Sequence, residues 1–170
     1  MKTITKLRIL YPLWAIVGTF SLLYAANLPS DSIIFKIGQV GQILVQLFQI
    51  AVALLLYKLF EKTDKTNALM IVVFGLLAVP LSLMGILFPD AIHLAEIFWG
   101  LWLIPIGTLA IKSRMFPKWI GYCLYIGALG YLGGVISFFL IGSIPDYIEV
   151  LTMGEVIWLL WITIRGAKEK

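Results

Sequence analysis

Cysteine and histidine each occur once in the 170 residues, as Cys123 and His93, and charged residues make up only 13% of the chain. One cysteine cannot close an intrachain disulfide, so no oxidising compartment is implied. A lone histidine without a cysteine pair makes no zinc set, and no metal site or other cofactor is expected. The chain carries no phosphate-binding glycine loop, haem motif or nucleophile elbow. The scarcity of charge excludes more. A soluble domain is about a quarter charged and under half apolar. This chain is 61% hydrophobic, with a mean hydropathy of +1.00. A surface that apolar needs lipid as its solvent.

In hydrocarbon only helices and closed barrels satisfy every backbone polar group. Barrel strands would alternate apolar and polar residues. The runs here are continuously apolar over about 20 residues, the length that spans a bilayer. The expected fold class is therefore all-α: a polytopic membrane protein, one transmembrane domain over 1–170. Six helices are predicted at about 9–27, 35–60, 68–87, 91–111, 117–141 and 146–164. The first apolar run exceeds the ~7–15 residues of a signal sequence and reads as a retained helix. Pro80 and Pro105 fall inside the third and fourth helices, where proline favours a kink.

The net charge of +4 and pI of about 9.2 reflect topology rather than nucleic-acid binding, because the basic residues cluster at helix ends. The clusters are Lys2, Lys6 and Arg8; Lys58, Lys62 and Lys65; Lys112, Arg114 and Lys118; and Arg165, Lys168 and Lys170. They hold twelve of the thirteen basic residues, all but Lys36. The opposite ends carry Asp31, Asp90, Asp146 and Glu149. Positive charge marks the cytoplasm, so both termini are expected there, in the cell (plasma) membrane.

Polar groups within the spans are costly and therefore informative. Gln39, Gln42, Gln46 and Gln49 fall within an arc of roughly 80° on the second helix and form one stripe. It serves either interhelical hydrogen bonding or one wall of a cavity. Glu155 sits near the middle of the sixth helix, where a carboxylate must be paired, hydrated or protonated. His93 and Glu96 are three apart, on one face of the fourth helix. Most polar residues, among them Asn27, Gln39, Gln42, Ser82, Thr152 and Glu155, fall in the outer half or near the midplane; Gln49, Thr108 and Thr163 fall in the inner half. A polar cavity open to the extracytoplasmic side, above a tightly apolar cytoplasmic half, is the expectation. Trp14, Trp99, Trp119 and Trp161 read as interfacial anchors, while Trp102 and Trp158 lie deeper and are placed in the cavity. Gly130 and Gly134 have GxxxG spacing, which suits close packing within the chain or a homo-oligomer.

The run Phe98-Trp99-Gly100-Leu101-Trp102-Leu103, then Pro105-Ile106-Gly107, and Ser113-Arg114-Met115-Phe116-Pro117-Lys118-Trp119-Ile120-Gly121 resembles the bacterial multi-pass family of domain of unknown function 4386. The likeness extends to Leu55–Phe60, Gly127–Leu132, Gly154-Glu155 and Trp158–Leu160, and covers nearly the whole chain. It implies six helices, a membrane location and a recurring position for Glu155, with no established activity. The short third-to-fourth connection departs from the family and argues against a loop-borne function.

The leading functional expectation is a small or amphipathic ligand, held by Gln39, Gln42, Gln46, His93, Glu96, Trp102, Glu155 and Trp158, in a sensor, carrier or accessory subunit. No residue is assigned a catalytic role. The alternatives are a structural protein whose polar groups serve only packing, and an intramembrane enzyme using His93, Glu96 or Glu155.

Overall fold

A backbone that crosses hydrocarbon must bond to itself, and in this chain it does so as helices throughout. The computed structural model describes residues 2–168, among which no strand occurs. Helix α1 is Thr3–Asn27, α2 Ile33–Phe60, α3 Lys65–Met84, α4 Pro89–Ser113, α5 Lys118–Ile141 and α6 Asp146–Ile164. All six are long and apolar enough to cross a membrane. Lys170, counted above with the basic tail, lies outside the described residues.

Several boundaries differ from those read off the sequence, each for a local reason. α1 starts at Thr3 rather than near Ile9. Arg8 donates from Nε to the carbonyl of Thr163 (3.0 Å) and from Nη2 to that of Ile164 (3.2 Å), docking the polar first turns onto the end of α6. α2 starts at Ile33 because the Ser32 hydroxyl caps it, accepting from the Phe35 amide at 3.1 Å. α3 starts at Lys65 because Asp64 caps it, accepting from the Asn67 amide at 3.1 Å. It ends at Met84, and the chain turns before a 3₁₀ turn at Pro89–Ala91 opens α4. α4 runs to Ser113 and ends where Arg114 adopts φ 58°. Pro80 and Pro105 lie inside continuous helices.

Each helix packs on the next, and α6 packs on both α5 and α1, which closes the ring. The basic clusters meet at one end. There Lys112 Nζ donates to Asp64 Oδ2 at 2.8 Å, tying the 61–64 turn to the end of α4. The Lys168 amide donates to the Met115 carbonyl at 3.0 Å, and Arg8 holds the first helix against the last. This half of the bundle is filled by apolar side chains from all six helices, including Leu7, Phe60, Ile71, Leu109, Ile120 and Ile162, none of them exposed. Trp119 and Trp161 meet edge to face at 5.4 Å beside Lys118, as interfacial anchors do.

Close approach at glycine sets the rest of the geometry. A Cβ on Gly154 would overlap the Cys123 carbonyl, and one on Gly130 would press on the Thr152 backbone, so α5 and α6 touch main chain to main chain. Gly134 faces Ile144. The GxxxG pair is thus used within the chain. On the other flank, a Cβ on Gly38 would overlap Ala25, and one on Gly41 would overlap the Ser21 hydroxyl. These glycines hold the far part of α1, a π turn at Thr19–Tyr24 followed by a 3₁₀ turn, against α2.

Two outcomes test this packing. Gly154→Ala should destabilise the protein by about 1–3 kcal/mol through overpacking, whereas Gly133→Ala, whose Cβ would meet only an Ile148 methyl at 3.5 Å, should be close to neutral. Unfolding in detergent mixtures compares them. Asp64 gives the second. Lys112 foremost, then the Asn67 amide, hold its carboxyl well below the usual carboxylate range. Its stabilising contacts are therefore complete above the ordinary carboxylate pKa of about 3.9 and are lost as pH falls below that value. Amide protection factors at the start of α3 should fall on acidification, and Asp64→Ala should show the lower protection already at pH 7.

Candidate functional site

The glycine contacts leave space where α1 and α6 part. A cavity of about 630 Å³ lies between α1, α2, α4, α5 and α6, in the half of the bundle away from the basic clusters. Each helix contributes to it by spacing. On α4, His93, Glu96 and Trp99 recur every three residues and share a face. On α6, Thr152, Glu155, Val156 and Leu159, spaced three, one and three apart, also share a face. α1 supplies Trp14 and Gly18, and α5 supplies Gly130, Tyr131 and Gly134.

Two polar pairs stand in this wall. His93 Nδ1 lies 2.9 Å from Glu96 Oε2. The His93 ring stacks on Phe138 with centroids 3.8 Å apart, which fixes its plane. The Tyr131 hydroxyl donates to Glu155 Oε2 at 2.8 Å, and Trp99 meets the Tyr131 ring edge-on at 6.0 Å. Glu155 is thus partnered inside the bundle, as an intramembrane carboxylate must be.

The floor is aromatic. Trp14 contacts Trp102 edge to face at 6.0 Å and Tyr11 at 5.7 Å. Below them Trp158 Nε1 donates to the Tyr11 hydroxyl at 3.0 Å, and its ring packs on Phe116 at 4.8 Å. The layer divides the polar cavity from the apolar core.

The expected site residues sort accordingly. His93, Glu96 and Glu155 lie together in the cavity wall. Trp102 and Trp158 are fully buried in the core below it. The glutamine stripe divides along its length. Gln42 donates to the Ser21 carbonyl at 3.5 Å, an interhelical contact, and Gln39 is partly buried near it. Gln46 is buried with no partner for Oε1. Gln49, fully buried, reaches the cavity wall; its Nε2 donates to the Gly75 carbonyl at 3.0 Å, and its Oε1 has no partner.

Trp14, Trp99 and Tyr131 join the wall as well, none of them among the expected site residues. Trp99 carried a signal, since it continues the three-residue spacing of His93 and Glu96. Trp14 and Trp99 are expected at the interface; both instead line the cavity, with their indole nitrogens buried. Tyr131 had no signal beyond its glycine neighbours. Among the described residues no three of His, Cys, Asp and Glu converge in a set able to hold a metal ion.

The family model described as Domain of unknown function (DUF4386) matches residues 9–92 and 86–166. An uncharacterized protein of Archaeoglobus fulgidus is 26% identical over 136 residues, covering 76% of this chain and 83% of that protein. No solved structure matches the chain.

The Tyr131–Glu155 bond is open to direct measurement. A double-mutant cycle of Tyr131→Phe with Glu155→Ala should return a coupling of about 0.6–1.7 kcal/mol, the range of hydrogen bonds between membrane helices. A coupling near zero would show that the two side chains do not meet.

Proposed function

This chain belongs to the family described as Domain of unknown function (DUF4386), and we propose that it is a multi-pass membrane protein whose cavity binds a small amphipathic ligand. In this reading the basic end is cytoplasmic, in the cell membrane, and the cavity belongs to the outer half. The protein would serve as a sensor, carrier or accessory subunit. The carrying observation is the cavity itself: about 630 Å³, within the ~300–1,000 Å³ of small-ligand sites. Its wall joins apolar side chains to a few convergent polar ones, the composition of a binding site. The charge asymmetry along the bundle supports the orientation, since positive charge is retained on the cytoplasmic face.

A packing-only role accounts for Gln42 and Gln49, whose amides bond backbone carbonyls. It leaves the cavity without a reason. One observation favours a second reading, an enzyme: His93 and Glu96 are within hydrogen-bond reach and share the cavity with Glu155, as acid–base chemistry would require.

Trp14 and Trp99 in the wall provide a reporter. In dodecylmaltoside micelles, 11-bromoundecanol should quench part of the tryptophan emission saturably. That part should vanish in Gly18→Phe, because Gly18 lines the cavity and a Cβ there meets only Val45, at 3.8 Å. Quenching that never saturates and is unchanged in Gly18→Phe would refute the binding reading.

A further inference from the structure

The cavity is open on one flank. Beyond Gly18, α1 follows α2, while α6 stays on α5. The gap between α1 and α6 is edged by Leu23, Met153 and Val156. All three line the cavity, yet they are also 69%, 51% and 42% exposed on the outside of the bundle. In a membrane that outside is acyl chain. The gap is therefore an apolar doorway facing lipid rather than water.

Deeper in, the wall changes character. Glu96, Glu149 and Glu155 line it, and neither lysine nor arginine does. The one basic group is His93, and its Nδ1 is already turned to Glu96. Trp14, Trp99 and Tyr131 bring three aromatic rings to the same space. Gln49, fully buried in that wall, has an acceptor oxygen with no partner. An anionic head would meet three carboxylates and no compensating cation. A cationic head would meet carboxylates and aromatic faces together, the combination that recognises organic ammonium groups. Carboxylates in a low-dielectric site also gain most from such a partner.

We propose that the cavity takes a single-chain amphiphile with an ammonium head, admitted sideways from the membrane between α1 and α6. This rests on the reading that the cavity binds an amphipathic ligand, and it adds the head group and the route. The tail lies along the Leu23, Met153 and Val156 doorway. The head rests between Glu155, Glu96 and the rings of Trp99 and Tyr131.

The experiment uses the full chain in dodecylmaltoside micelles, whose heads are uncharged. Saturable tryptophan quenching is compared for 11-bromoundecyltrimethylammonium, 11-bromoundecanol and 11-bromoundecanoate, with Gly18→Phe as the blank for micelle partition. The ammonium compound should bind about tenfold tighter than the alcohol or more, and the carboxylate weakest. Glu155→Gln and Glu96→Gln should bring the ammonium compound's affinity down toward the alcohol's, and saturable quenching by the alcohol in the same variants shows that the cavity persists in them. Equal binding of ammonium and alcohol would overturn the head-group assignment while the binding reading stands. Saturable quenching by neither would overturn both. Tetramethylammonium displacing the long-chain ammonium at equal concentration would overturn the tail and the lateral route; failure to displace it supports them.

Discussion

A backbone amide in hydrocarbon has no water to turn to, and each group left unbonded costs several kcal/mol. That constraint explains why helices occupy most of the described residues and why many polar side chains inside the spans have protein partners, although Oε1 of Gln46 and of Gln49, the hydroxyls of Ser21 and Ser82 and the indole N–H groups of Trp14, Trp99 and Trp102 have none. Tyr131 serves Glu155, His93 serves Glu96, Ser21 and Gly75 lend their carbonyls to Gln42 and Gln49, and Tyr11 accepts from Trp158. At the membrane surface the same need is met by Arg8 on the last carbonyls of α6 and by Asp64 at the start of α3. Partner-seeking in a solvent that offers none draws the polar residues inward and collects them.

Where they collect is decided by glycine. Lipid supplies no hydrophobic drive between helices, so association depends on how closely backbones approach. α5 meets α6 at Gly130 and Gly154, and α4 at Gly107 and Gly121. α2 meets the far part of α1 at Gly38 and Gly41. A ring of six helices drawn tight along some edges cannot be equally tight along all. α1 and α6 stay together where Tyr11 and Trp158 bond and part beyond Gly18, where α1 passes into a π turn. π turns are frequent at functional sites. Here the turn lies where the helix leaves its neighbour and the cavity begins.

The resulting space is chemically one-sided. Its floor is a layer of tryptophan and tyrosine, its doorway is aliphatic, and its charge is carboxylate. Among the described residues no three of His, Cys, Asp and Glu converge on one point, and neither lysine nor arginine lines the wall. In the proposed reading an amphiphile matches both surfaces, and a wall without lysine or arginine disfavours an anionic head. The His93–Glu96 pair has hydrogen-bond geometry compatible with proton transfer, which links the binding and enzymatic readings through one set of residues.

Much of this was legible in the chain order. Six apolar runs, the basic clusters at alternate connections, and the spacing of His93, Glu96 and Glu155 follow from composition and period, because span length and helical pitch are properties of a single strand. Capping also acts locally, yet Ser32 and Asp64 moved two boundaries outward, since a cap is recognised by the bond it makes. The partners were not legible. Nothing along the chain says that Gly154 lies against Cys123, that Trp102 and Trp158 sink into the core while Trp14 and Trp99 turn toward the cavity, or that Tyr131 meets Glu155. Those depend on helix rotation and crossing, which are set by contacts between residues distant in sequence. By itself the sequence determined that the chain is a helical membrane bundle and which of its groups are costly to bury. Tertiary structure alone decided which of those groups share a cavity, because close packing at a few glycines left one edge of the ring open.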